Sequence, residues 1–234
     1  MSDMIKMIAA IIIFATVACV GLAFVYDGTK ETIAVNKAEK LNSALKEIFP
    51  DADSFPPISG KLESGNPAVN FGDAYRATKG GAAIGIALNA SDTGFNDTIT
   101  ALVGVGTNGK ITGVRILQNT DTPGLGANAS SPTYFIDKPA NTKTFYGQFT
   151  GMSVNDNITV KKDGGAVNAI TAATITSRAV SLLVSEAGKA GSAWLAQNGV
   201  AGNTAPEASP EAAPEVELQA VPAVPQALEN GGAQ

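Results

Sequence analysis

Residues Met7 to Tyr26, MIAAIIIFATVACVGLAFVY, make twenty consecutive positions without a charged side chain. A helix rises about 1.5 Å per residue, so a run of this length matches the roughly 30 Å hydrocarbon core of a bilayer. The run predicts a single uncleaved transmembrane helix over 7–26, preceded by a short segment, 1–6. Two rivals use the same residues. A cleaved secretory signal has a shorter apolar run and an A-x-A-like site, and neither is evident. A lipoprotein signal would end at Cys19, after Thr16-Val17-Ala18. Thr16 stands where such signals usually carry Leu, and the apolar run continues past the cysteine. Otherwise Cys19 reads as a small apolar residue inside the span. Lys6 precedes the run while Lys30, Lys37 and Lys40 follow it. That count puts the C-terminal side in the cytoplasm, although the rule loses force when a long domain follows a span.

The rest of the chain sorts into three regions. Lys30 to Ile48 carries Ile33, Ala34, Ala38, Leu41, Leu45 and Ile48 near a 3.6-residue period, which predicts a helical connector over 27–50 stopped by Pro50. A globular domain is expected over 51–202. Within it Thr98 to Asn119 holds two β-rich runs around Asn108-Gly109, the signature of a hairpin whose two turn residues both take positive φ. Ala82 to Leu88 suggests another strand. Ser177 to Gln197 predicts a helix buried through Val180, Leu183, Val184, Ala187 and Trp194, and stopped at Asn198-Gly199. Antiparallel strands with helices at the ends give the class α+β. Residues 203–234 turn to Ala, Pro and Glu, a composition that predicts an extended or disordered tail. No internal repeat stands out.

Composition narrows the chemistry. The 234 residues include no histidine and one cysteine. A Ser-His-Asp triad, a His-ligated metal or haem and an internal disulfide are therefore excluded. An iron–sulfur cluster wants about four cysteines, so this chain cannot hold one alone. Any redox group must be organic and held by other means. The net charge of −5 equals the charge of Glu207, Glu211, Glu215, Glu217 and Glu229, all beyond the last lysine, Lys189. Residues 1–202 are thus formally neutral, no basic patch appears, and nucleic acid is not an expected partner. Trp194 and the four tyrosines carry no separate signal and read as packing residues.

Ahead of the last predicted helix stands NAITAATITSRAV, Asn168 to Val180, rich in hydroxyls. Thr and Ser are favoured helix caps, and a cluster of them needs no further purpose. The same place has a second use: a helix N-terminus offers unpaired N–H groups and partial positive charge, which suit a phosphate. This segment resembles the flavinylation motif of FMN-binding domains, D-x-x-[ST]-G-A-T, whose last threonine carries FMN through a phosphoester bond. Thr120 to Gly126, TDTPGLG, resembles the E-T-P-G-L-G loop of the same domains. Gly94 to Ile99, followed by the hairpin and GKITGVRIL, matches the family's order. Together with one N-terminal span, residues 5 to 197 resemble the RnfG family, the G subunits of Rnf ion-translocating ferredoxin:NAD oxidoreductase complexes. The related NqrC subunits of sodium-pumping NADH:quinone oxidoreductases share both motifs and remain the alternative.

The resemblance implies an FMN-binding domain behind a membrane anchor, with FMN esterified to Thr174 by a flavin transferase that uses FAD. It implies a cofactor site including Thr171, Ala173, Ile175 and Thr176 around that threonine. The loop residues Asp121, Thr122, Gly124, Leu125 and Gly126 would lie near the flavin. Pro123-Gly124 suits a type II turn, and the two glycines would admit close backbone approach to a flat ring. The implied role is electron relay among neighbouring subunits of a bilayer-embedded complex, with no independent catalysis. The implied location is a bacterial cytoplasmic membrane, with the domain on the extracytoplasmic side. Asn168, Ala172 and Asp121 depart from the motifs, which usually carry Asp, Gly and Glu there. An Ala at 172 would cost about 1 kcal/mol if the backbone needs positive φ. Two other classes compete: a non-redox assembly subunit, and an anchored module binding an external small molecule.

Overall fold

The computed structural model describes residues 2–200; the expected Ala/Pro/Glu tail over 203–234 lies outside them. The first element, α1, is one unbroken helix, Ser2–Ile48. The expected boundary between a span ending at Tyr26 and a separate connector is therefore no break in the backbone, and the helix ends two residues before Pro50. Asp27-Gly28-Thr29 changes the solvent preference of the chain without changing its conformation, since one interior glycine costs only about 1 kcal/mol in a helix. Ile11, Ile12, Phe14, Leu22 and Phe24 are all exposed. Such a collar of bare apolar side chains is unfavourable in water and matched by lipid, and α1 is long and apolar enough to cross a membrane.

Four strands follow in one antiparallel sheet, with spatial order equal to chain order: β1 (Asn70–Lys79), β2 (Ala82–Thr93), β3 (Thr98–Gly106) and β4 (Ile111–Gln118). The second long helix, α2 (Thr174–Gln197), starts three residues earlier than its apolar period indicates. The period-2 alternation of the central strands decides what each helix covers. Ile86, Leu88, Ala90, Ala101, Val103 and Val105 point into the main core with Val180, Leu183, Val184 and Ala187 of α2. Ala77, Ala87 and Leu102 point the other way, onto Ala44, Leu45, Ile48 and Phe49 at the end of α1. The sheet thus lies between the two helices. Lys40 Nζ donates to the Leu117 carbonyl at 3.0 Å, and Arg115 pairs with Glu47 at 3.0 Å, so α1 is also tied to β4.

The β3–β4 hairpin sits where Asn108-Gly109 predicts it, with a different turn. Only Gly109 has positive φ, 70°, while Asn108 does not. Gly109 N–H donates to the Gly106 carbonyl at 3.0 Å. This is a type I turn closed by a left-handed glycine, and Asn108 serves by accepting the Lys110 N–H at 3.1 Å. β2 runs five residues beyond the strand expected over Ala82–Leu88.

Candidate functional site

The site forms where the loop after β4 meets the start of α2. Immediately before that helix Ala172 holds φ 60°, a left-handed conformation that lets the chain turn into the helix. Ala173 occupies the N-cap position and no side chain caps the helix. The capping role open to the threonine cluster is thus not used. Thr174 is the first helical residue and is half-buried. Among the described residues its hydroxyl has no hydrogen-bond partner, and neither do the backbone N–H groups of Thr174, Ile175 and Thr176. A helix start with three free N–H groups and an unengaged hydroxyl is chemically suited to a phosphate ester.

Ser177 and Thr176 brace this helix start from behind. The Ser177 hydroxyl donates to the Ala173 carbonyl and accepts the Ile170 N–H, both at 2.9 Å. Thr176, 1% exposed, donates to Asp121 Oδ2 at 2.6 Å. Asp121 Oδ1 accepts the Asn96 N–H at 2.9 Å, so one carboxylate joins α2, the loop after β4 and the β2–β3 connection. Asn119 closes the loop by accepting the Asp121 N–H and donating to the Gly126 carbonyl.

Pro123-Gly124 makes the tight turn expected of it. Leu125 N–H donates to the Thr122 carbonyl at 3.1 Å and Gly124 has φ 78°. At Gly126 the protein's own packing excludes a side chain. A Cβ there would lie 2.5 Å from Thr176 Oγ1 and 2.7 Å from Asp121 Oδ2. Its missing side chain is what lets the loop close on the Asp121–Thr176 bond.

These parts enclose a cleft of about 320 Å³, at the lower end of the roughly 300–1,000 Å³ of small-molecule sites. Of the residues the sequence singles out, Asp121, Thr122, Leu125, Gly126, Ala173, Thr174, Ile175 and Thr176 line it. Gly124 and Thr171 do not; both are exposed beside it. Ala172 and Phe95 complete the lining. Phe95 is absent from the sequence-derived set, although it lies in the Gly94–Ile99 stretch that carries part of the resemblance. Its signal is an aromatic side chain left 67% exposed at the cleft. With Leu125, 40% exposed, and Ile175, 51% exposed, it supplies apolar walls. The cleft therefore pairs an anion-seeking helix start with flat apolar surface, and FMN presents a phosphate and a flat ring. The residues present fit that group.

Among the described residues no cation lines the cleft, and Asp121 is its one charged residue. Arg178, one turn into α2, is held outside it by Asp163, with two N–O contacts of 2.7 Å. The hydrogen bond from Arg178 and its charge hold the Asp163 carboxyl below the usual carboxylate range.

Comparison with known proteins gives two family matches. The FMN-binding domain family matches residues 94–189, and the RnfG N-terminal region matches residues 3–48. The first match contains Phe95, the TDTPGLG loop and Thr174. The G subunit of the ion-translocating oxidoreductase complex of Methanosarcina acetivorans is 32% identical over 182 residues, covering 76% of this chain and 89% of that protein. The G subunit of the proton-translocating ferredoxin:NAD(+) oxidoreductase complex of Clostridium ljungdahlii is 34% identical over 169 residues, covering 71% and 80%. The G subunit of the ion-translocating oxidoreductase complex of Cereibacter sphaeroides is 32% identical over 177 residues, covering 72% and 75%. With an FMN-binding domain behind a helix able to span a membrane, the chain belongs to the RnfG family of ion-translocating oxidoreductase subunits.

Proposed function

We propose that this protein is the electron-relaying G subunit of a ferredoxin:NAD oxidoreductase complex that moves ions across a membrane. In this reading FMN is joined through its phosphate to Thr174 Oγ1. The observation that carries the reading is the start of α2: a half-buried hydroxyl beside three backbone N–H groups, all without partners among the described residues, in the wall of an apolar cleft.

Flavin, once bound, supplies the one- and two-electron chemistry that a chain without His and with one Cys lacks. The residues of the protein do the rest. Thr174 provides the attachment oxygen, and the helix start balances the charge of the phosphodiester through N–H donors and its dipole. Phe95, Leu125 and Ile175 cover apolar faces and exclude water. Ser177, Thr176 and Asp121 keep the helix start and the loop in register. Maturation by a flavin transferase would transfer the FMN half of FAD to the threonine oxygen, releasing AMP and the hydroxyl proton. A covalent bond retains the flavin on an extracytoplasmic domain, where a dissociated cofactor would be lost. Anchored by α1 in the lipid bilayer, the domain exchanges electrons with neighbouring subunits of the complex.

Co-expression with a flavin transferase tests this directly. The wild-type band stays fluorescent after denaturing electrophoresis, and peptide mapping places the added mass on Thr174. Thr174→Ala removes the fluorescence without changing the fold, whereas Thr174→Ser retains part of it. Flavin persisting in Thr174→Ala moves the bond to Thr171 or Thr176. A wild-type band that stays dark beside an active transferase overturns covalent attachment.

A further inference from the structure

Asp121 does more than join three segments, and this inference rests on the flavin reading above. The side chain is 4% exposed, lines the cleft, and has no ion-pair partner among the described residues. Its oxygens each accept one hydrogen bond, from the Asn96 N–H and from the Thr176 hydroxyl. A backbone N–H can only donate, and an ionised carboxylate, which only accepts, satisfies both contacts. Neutral groups could make the same mechanical link. A buried charge without a counter-charge is costly to keep, and its field is screened far less than that of a surface carboxylate.

We propose that Asp121 sets the reduction potential of the flavin in this cleft. Its carboxylate fixes a negative charge in the wall, which disfavours adding an electron to the bound group and holds the midpoint low. The hydrogen bonds to Asn96 and Thr176 position that charge. Asp121 is in this sense a positioning residue whose own charge is the functional quantity.

Asp121→Asn separates charge from shape. Its amide oxygen can accept the Asn96 N–H, and its amide nitrogen can donate to Thr176 Oγ1, since a hydroxyl also accepts. Thr176→Val removes one bond and leaves the charge; Asp121→Glu leaves the charge on a longer arm. The full-length protein in detergent is loaded, its flavin content measured, and its midpoint read by spectroelectrochemical titration. The melting temperature of unloaded protein records the mechanical contribution separately.

In Asp121→Asn the reduced-to-oxidised ratio at a fixed potential rises about tenfold, equivalent to 59 mV for a one-electron couple. Thr176→Val melts lower and moves its midpoint far less than Asp121→Asn, and Asp121→Glu stays near wild type. An unchanged midpoint in Asp121→Asn overturns the proposal, as does an equal shift in Thr176→Val. If Asp121→Asn does not fold, an upward shift in Asp121→Glu as large as that of a charge loss is the overturning result. Wild-type protein that binds FMN without a covalent bond is titrated in the same way, so failure at Thr174 and failure at Asp121 remain distinct.

Discussion

Gln148 and Asn168 exchange two hydrogen bonds across twenty residues of chain. Gln148 Nε2 donates to the Asn168 carbonyl at 3.1 Å, and Asn168 N–H donates to Gln148 Oε1 at 2.8 Å. A second proton of Nε2 goes to the Phe145 carbonyl at 2.9 Å, so both protons of the buried amide are used. The glutamine acts as a one-residue strand partner for the backbone that leads to Thr174. Gln148→Leu keeps the volume and leaves both Asn168 backbone groups unpaired. The expected cost is about 1–3 kcal/mol, measured by urea unfolding. Faster amide exchange should be confined first to residues 168–173, with a lower yield of flavin label. Unchanged exchange there would show that the segment holds itself.

The Arg178–Asp163 pair joins the first turns of α2 to the short turn Lys161–Asp163, and it carries a pH signature. Asp163 is held below its ordinary value chiefly by the Arg178 hydrogen bond, while Arg178 is held above its own. A carboxyl whose folded value is depressed stabilises fully above its unfolded value, near 3.9, and loses that contribution as pH falls through the folded value. Asp163→Asn should therefore melt below wild type at pH 7. The two melting curves should converge as pH falls through the folded value. Both side chains are partly exposed, so added salt should also narrow the difference. A gap that persists in acid would mean that packing, not charge, explains the pair.

Local chemistry makes some of this fold legible. Asn108-Gly109 places the hairpin because a tight turn is decided by adjacent residues, even though only Gly109 takes the left-handed conformation. The apolar period of α2 marks its core face, but not its first residues, because Thr174, Ile175 and Thr176 line the cleft instead. β1 is hidden. Its register shifts between Phe71 and Ala74 and between Ala77 and Thr78 break the alternation by which strands are recognised. The hydrogen bond between Asp121 and Thr176 joins residues 55 apart. Each belongs to a motif, but the sequence holds no local sign that they meet. Phe95 escapes notice for a related reason: a lone aromatic in a loop gains meaning only when folding brings it to the same cleft as Ile175 and Leu125.

Ala172 is the residue where the motif's usual glycine would relieve strain that this backbone contains. Its φ of 60° is a conformation that costs an L-residue with a Cβ about 1–2 kcal/mol. Ala172→Gly removes that strain, partly offset by the greater freedom of glycine in the unfolded chain. A net gain of about 1 kcal/mol is expected, a rise of about 2–4 °C in melting temperature for a domain of this size. Ala172 is exposed and lines the cleft beside Thr174, so the substitution also widens the approach to the Thr174 hydroxyl. Labelling by the transferase should be faster in Ala172→Gly, with the same final stoichiometry. Ala172→Val, β-branched and forced into the left-handed region, should melt lower and label more slowly. If glycine leaves the melting temperature unchanged and valine is tolerated, the left-handed turn before α2 is not imposed by the fold.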